Sequence, residues 1–212
     1  MISVLCYGDS NTYGFIPGSG GRYPKNVRYP GKLAMLLGEG YRVIEEGCNG
    51  RTALCNEEPV FFQAGTDYMR KCFEKNAPVD IVILMLGSND LKSWLHLTAK
   101  EIAGNAGAVA GQILSFTKEI QGFSPKLILV SPPRIGTKIK TSPFYGEFTE
   151  DAIGISEEFP LYYKKEAEEK GCIFFDAAEC VYPSDLDSLH LTEEGHAALA
   201  GEFCALVKKL EL

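Results

Sequence analysis

Ile2-Ser3-Val4-Leu5-Cys6-Tyr7-Gly8-Asp9-Ser10-Asn11-Thr12-Tyr13-Gly14 reads as an apolar strand, expected over residues 2–6, that runs straight into a polar turn bounded by glycines. A short apolar run closed by glycine and followed by a helical pattern is the start of a βα unit in a parallel sheet. In such sheets ligands bind beyond the carboxyl ends of the strands, where loops converge and leave backbone groups free. Ser10 therefore stands at a ligand-binding position, and the rest of the chain is read for what serves it.

The same unit recurs. Strands are expected at 2–6, 41–46, 80–86, 126–131 and 172–175, alternating with helices near 28–38, 58–76, 98–121, 151–170 and 192–209. In the third helix Ile102, Ala106, Val109, Ile113, Phe116 and Ile120 recur at spacings of three and four, a core stripe, and Thr98 with Glu101 reads as a capping box. The fold class is α/β: a three-layer α/β/α sandwich around a five-stranded parallel sheet in the flavodoxin-like order 2-1-3-4-5, as one domain over 1–212. That order brings the ends of the first three strands together.

A hydroxyl is a weak nucleophile without a base, an orienter for the base and donors for a developing oxyanion. Asp187-Ser188-Leu189-His190 supplies a base and an orienter, because a turn folds the Asp187 carboxylate onto one imidazole nitrogen and leaves the other facing outward. Thr192, Glu193 and Glu194 then read as a helix cap with an acidic first turn. Ile81 to Leu86 ends in Gly87-Ser88-Asn89-Asp90, and Val43-Ile44 leads to Gly47-Cys48-Asn49-Gly50-Arg51-Thr52. The Ser10 N–H, the Gly50 N–H and the Asn89 side-chain amide are the expected oxyanion hole.

Each residue also has an ordinary reading: Ser10 as a turn cap, Asn89 and Asp90 as turn residues, Gly50 as a positive-φ glycine, His190 as a cap-region histidine. Asp185 competes formally with Asp187 as orienter. Asp9 and Asp90 are expected to hold their loops, and His96 to stand on a pocket wall or the surface. On a helix, His196 points away from His190, against a shared metal.

The blocks Gly8-Asp9-Ser10, Gly50, Gly87-Ser88-Asn89-Asp90 and Asp187-Ser188-Leu189-His190 resemble, in order and spacing, those of the SGNH hydrolases, the GDSL esterase/lipase family. The likeness is greatest to the arylesterase and acyltransferase branch, through Gly8–Gly14, Val27–Leu37, Val43–Thr52, Leu86–Lys92, Ser131–Pro133 and Phe175–Glu194. The resemblance implies Ser10 as nucleophile, Asp187 and His190 as its triad partners, and Gly50 and Asn89 as oxyanion donors. Relatives in that branch can carry alanine where this chain has Gly50.

The net charge of −7 and a pI near 5.1 disfavour nucleic acid, which needs clustered positive charge. No apolar stretch reaches the roughly 18 residues of a membrane span, and the start of the chain lacks a signal-type pattern, so a cytoplasmic protein is expected. Seven cysteines without close CxxC pairs suggest neither a disulfide framework nor a zinc site. They read mostly as small buried hydrophobes. No cofactor or metal is expected: the first turn lacks the Gly-Lys-Ser/Thr ending of a P-loop and the GxGxxG of a dinucleotide site, and GxSxG is absent.

Two long connections, 15–29 and 132–150, carry Phe15, Phe144, Tyr145 and Phe148 among prolines and glycines. They read as pocket-lining loops or lids, or as contacts in a homo-oligomer, which the resemblance makes plausible. The expected function is a serine esterase for short-chain acyl or aryl esters, with acyl transfer where the loops exclude water. The alternatives are a carbohydrate-acetyl esterase, lysophospholipase or thioesterase of the same family, or a non-catalytic binding module on this fold.

Overall fold

Strand and helix alternate along the chain in a computed structural model that describes residues 1–54, 64–66 and 68–210. The strands are β1 (Ile2–Gly8), β2 (Tyr41–Gly47), β3 (Ile81–Met85), β4 (Lys126–Ser131) and β5 (Ile173–Asp176). The helices are α1 (Ser10–Tyr13), α2 (Tyr29–Leu37), α3 (Met69–Asn76), α4 (Ala99–Gln121), α5 (Asp151–Glu157), α6 (Phe159–Lys170) and α7 (Glu193–Lys209). All strand pairs are parallel, in the order β2-β1-β3-β4-β5, as the sequence implies.

Side chains alternate across a strand, so each apolar strand feeds two cores. Leu5, Tyr7, Val82, Leu84, Leu127 and Leu129 pack against the α4 stripe and against Phe159 and Tyr163 of α6. Val4, Cys6, Ile83, Met85, Ile128 and Val130 face the other way, onto Leu33 of α2 and Leu199, Phe203 and Val207 of α7. Removing such a side chain from water contributes about 1.5–3 kcal/mol. Continuous burial along β3, and along β4 from Leu127 onward, is why these strands read as apolar runs, whereas β2, at the edge, carries Arg42, Glu45 and Glu46.

Local signals place the helix ends. Thr98 and Glu101 form the expected capping box, with Thr98 N–H donating to Glu101 Oε2 at 2.9 Å and Glu101 N–H to Thr98 Oγ1 at 3.3 Å. Thr192 caps α7 by accepting from the Gly195 N–H at 3.2 Å; Glu193 and Glu194 sit in its first turn and Lys208 and Lys209 in its last, matching the helix dipole.

Two helices differ from expectation. The segment 151–170 is two helices broken at Glu158, because Pro160 lacks the N–H that would bond back one turn and its ring crowds the preceding carbonyl. In 58–76 the described helix begins only at Met69, and residues 55–63 and 67 lie outside the described residues.

Register sets the site. Gly8 pairs with Gly47 on one side and with Met85 on the other, so β1, β2 and β3 end level and their loops leave from one rim. A Cβ on Gly47 would lie 2.1 Å from the Tyr13 backbone nitrogen, so only glycine lets α1 pack down on the end of β2. Behind β3 the buried Tyr163 hydroxyl donates to the Leu86 carbonyl at 2.7 Å, anchoring the loop that carries Asn89.

Candidate active site

Ser10 is the first residue of α1, a single turn whose cap is Asp9: the Asp9 Oδ1 accepts the Asn11 N–H at 2.9 Å. Asp9 thus holds its loop. Its burial pushes the carboxyl up to about 6, opposed by that N–H. Asp90 acts similarly in the third loop, accepting the Ala53 N–H at 2.9 Å.

The segment before α7 is wound onto Asp187. One carboxylate oxygen accepts the N–H groups of Leu189 (3.0 Å) and His190 (2.9 Å), and the other lies 2.7 Å from His190 Nδ1. The turn needs Ser188 at φ +61°, an uncommon conformation for a serine, and the Ser142 hydroxyl ties it down by donating to the Asp187 carbonyl at 2.6 Å. Burial by itself would raise the Asp187 pKa; the His190 ring and the two N–H donors outweigh it, and the carboxyl sits below its usual 3.8.

An ionised Asp187 accepts a hydrogen bond from the His190 Nδ1–H, leaving Nε2 as an acceptor, and His190 Nε2 lies 2.9 Å from Ser10 Oγ. All three residues are buried, with Ser10 8% and His190 6% exposed, enough for a small molecule to reach them. Asp185 is not in this chain: its carboxylate pairs at the surface with Lys138 at 2.7 Å.

Ser10, Gly50, Asn89 and His190 line one cavity of about 170 Å³. Gly50 has φ +74°, so an alanine there is strained even though the residue offers only its backbone. The Asn89 amide donates one hydrogen to the Arg51 carbonyl at 3.2 Å, and a primary amide has a second to give. The apolar wall comes from the long loops: Phe15, Phe144 and Phe148 face the cavity with Leu189. The Phe15 ring lies on the His190 imidazole at 4.2 Å between centroids, and the Phe144 ring meets it edge-on at 5.5 Å.

Two contributors are not singled out by sequence reasoning. Asn11 clips the first loop to the last, donating to the Leu189 carbonyl at 3.2 Å and accepting the Leu191 N–H at 3.0 Å. Arg51 is 2% exposed, and its guanidinium donates to the Gly8 and Glu46 carbonyls. The signal in each case is a polar residue beside a motif residue, which sequence alone cannot tell from a solvated one.

The remaining histidines stand apart. His196 is fully buried between Tyr23 and Tyr29, its Nδ1 accepting the Tyr29 N–H at 3.2 Å, and burial, ahead of the charges of His190 and Lys32, pushes it down to about 4. His96 is exposed, at φ +50°. Among the described cysteines Cys6, Cys72 and Cys204 are buried and Cys48, Cys172 and Cys180 half-buried, so half rather than most are core residues; Cys55 lies outside the described residues. Burial pushes Cys72 up to about 12 and Cys172 and Cys180 to about 11, leaving these thiols protonated and weakly nucleophilic. Among the described residues no helix is long and apolar enough to cross a membrane.

The model of the GDSL-like lipase/acylhydrolase family matches residues 6–198. No curated protein matches the sequence. Among solved structures, a carbohydrate acetylesterase from Sinorhizobium meliloti is 34% identical, covers 100% of both chains and superposes with a TM-score of 0.92. The aryl esterase of M. smegmatis is 29% identical, again over 100% of both chains, with a TM-score of 0.92. A further carbohydrate acetylesterase family member from Sinorhizobium meliloti is 28% identical over 98% of each chain, with a TM-score of 0.87.

Proposed function

The chain belongs to the GDSL-like lipase/acylhydrolase family and is an ester-hydrolysing enzyme, and from this we propose that it is a serine esterase working through an acyl-enzyme on Ser10. The observation that carries the reading is the unbroken chain of contacts, 2.9 Å from Ser10 Oγ to His190 Nε2 and 2.7 Å from His190 Nδ1 to Asp187. Membership of a hydrolase family sets aside the binding-module alternative.

In this reading His190 removes the Ser10 proton as Oγ attacks the ester carbonyl, and Asp187 stabilises the imidazolium. The Ser10 N–H, Gly50 N–H and Asn89 amide receive the oxyanion, His190 returns the proton to the leaving alcohol, and water repeats the sequence to release the acid. The test is hydrolysis of a chromogenic acetyl ester together with the intact mass after treatment with an organofluorophosphonate. One adduct, lost in Ser10→Ala, is the expected result; an adduct that persists in the variant, or none on active wild type, ends the acyl-enzyme reading.

A short acyl group is supported by the cavity, whose volume of about 170 Å³ is below the ~300–1,000 Å³ of common ligand sites. The carbohydrate acetylesterase structure points the same way, and together with the aryl esterase structure it makes acetylated sugars and aryl esters the first substrates to assay. Across esters from acetyl to palmitoyl, kcat/KM is expected to fall about 5- to 160-fold once the chain outgrows the Phe148 and Leu189 wall, because overfilling a packed pocket costs about 1–3 kcal/mol. Activity rising toward palmitoyl would favour the lysophospholipase reading instead.

Acyl transfer is the second reading, favoured by Phe15 and Phe144 against His190. Apolar rings beside the acyl-enzyme disfavour ordered water and tolerate the carbon chain of an alcohol. Added primary alcohol is expected to divert acyl groups into a new ester beyond its mole share over water. A product ratio that follows mole fraction alone would exclude this activity.

A further inference from the structure

The three donors of the oxyanion reading sit on three loops, and one buried side chain reaches the backbone beneath them. Arg51 Nη1 donates to the carbonyl of Gly8 at 2.9 Å, two residues before Ser10, and to that of Glu46 at 2.6 Å, near the end of β2 and four residues before Gly50. Its guanidinium lies 4.3 Å over the ring of Tyr7, on β1. Its own carbonyl accepts from Asn89 Nδ2 at 3.2 Å.

We propose that Arg51 is the positioning residue of the oxyanion donors: its guanidinium ties the carboxyl ends of β1 and β2 together, and its carbonyl holds one Asn89 amide hydrogen so that the other is free for the substrate oxygen. This rests on the oxyanion reading above and goes beyond it. Oxyanion donors work because they are already aimed before charge develops, so whatever fixes their mutual spacing acts on the transition state and not on substrate binding. Filling a hydrogen-bond vacancy is not the main role of Arg51 at β1, since the Gly8 carbonyl also accepts the Cys48 N–H at 3.1 Å. What the arginine adds is a second tie, from the neighbouring strand end, made by the two hydrogens of one terminal nitrogen whose place is fixed by the planar guanidinium lying on the Tyr7 ring, a placement that a lysine cannot copy.

The test is a double-mutant cycle between Arg51→Lys and Asn89→Ala, read as kcat and KM on the acetyl ester below the melting temperature of every variant. Arg51→Lys is expected to lower kcat about 10- to 100-fold with KM within about threefold, the signature of misplaced transition-state contacts. Asn89→Ala is expected to lower kcat about 100- to 1,000-fold. The double variant should fall short of the product of the two losses by about tenfold, because the Arg51 side chain also places its own carbonyl, and misplacing an Asn89 amide already deleted costs nothing further, while any shift of the Ser10 and Gly50 donors persists. Arg51→Gln, which keeps a neutral donor and adds no buried charge, should repeat the pattern and serves if the lysine variant does not fold.

A wild-type kcat in the Arg51 variants, a loss carried by KM, or losses that multiply would overturn the positioning role while leaving the oxyanion hole standing. A wild-type kcat in Asn89→Ala would overturn the oxyanion reading and the proposal together.

Discussion

Ser10→Ala is expected to lower kcat for acetyl ester hydrolysis by about a millionfold, and His190→Ala by a similar amount, with the double variant little worse than either. In the proposed mechanism the two side chains act as one unit: the hydroxyl is nucleophilic only while Nε2, 2.9 Å away, takes its proton. Neither of the other histidines replaces it, since His196 packs against Tyr23 and Tyr29 and His96 is exposed. Alanine keeps the residue-10 N–H, so the variant retains that donor and isolates loss of the nucleophile. Residual catalysis of about 10³–10⁴ over water is then the share of the donors and of binding alone. Activity above about one per cent of wild type in a Ser10→Ala preparation free of contaminating esterase would remove Ser10 from the mechanism.

Asp187→Asn is expected to cost about ten-thousandfold in kcat with the fold intact. The structure indicates why an isosteric change does so much. One Asp187 oxygen is committed to the N–H groups of Leu189 and His190, and those donors will hold the asparagine carbonyl oxygen in the same place. The asparagine NH₂ must then face His190 Nδ1, where the carboxylate oxygen stood 2.7 Å away. Facing a donor, Nδ1 becomes the acceptor and the ring proton moves to Nε2, pointing at Ser10 and unable to receive its proton.

Stability offers a second readout of Asp187. A carboxyl whose pKa is lower in the folded than in the unfolded protein stabilises the fold at pH above the ordinary value, here 3.8, and loses that contribution as pH falls through the folded-state value. The melting temperature of wild type should therefore drop further than that of Asp187→Asn on acidification below about pH 4. Parallel curves would mean that Asp187 is not held ionised by its donors.

The sheet order and the four motif blocks were legible because their signals are local. Five strand-like runs, the first three closed by glycine, alternate with helical patterns and imply parallel strands, and parallel strands with helical crossovers leave few topologies. Asp187 and His190 were legible because they are three residues apart and one turn joins them. Pro160 signals the break at Glu158, but the helical composition on either side of it masks that signal. Asn11 and Arg51 were not legible, because their partners lie far along the chain: Leu189 and Leu191 for Asn11, and Gly8 and Asn89 for Arg51.

What the sequence determined by itself is the kind of element at each position and the residue types gathered at the strand ends, since periodicity, capping and turn chemistry act over a few residues. Tertiary structure alone decided that the loop phenylalanines close on the imidazole and that a buried arginine joins the ends of β1 and β2. Those outcomes depend on the register that makes Gly8, Gly47 and Met85 level. Register is fixed by burying both faces of the sheet at once, a balance struck over the whole chain and written in no single stretch of it.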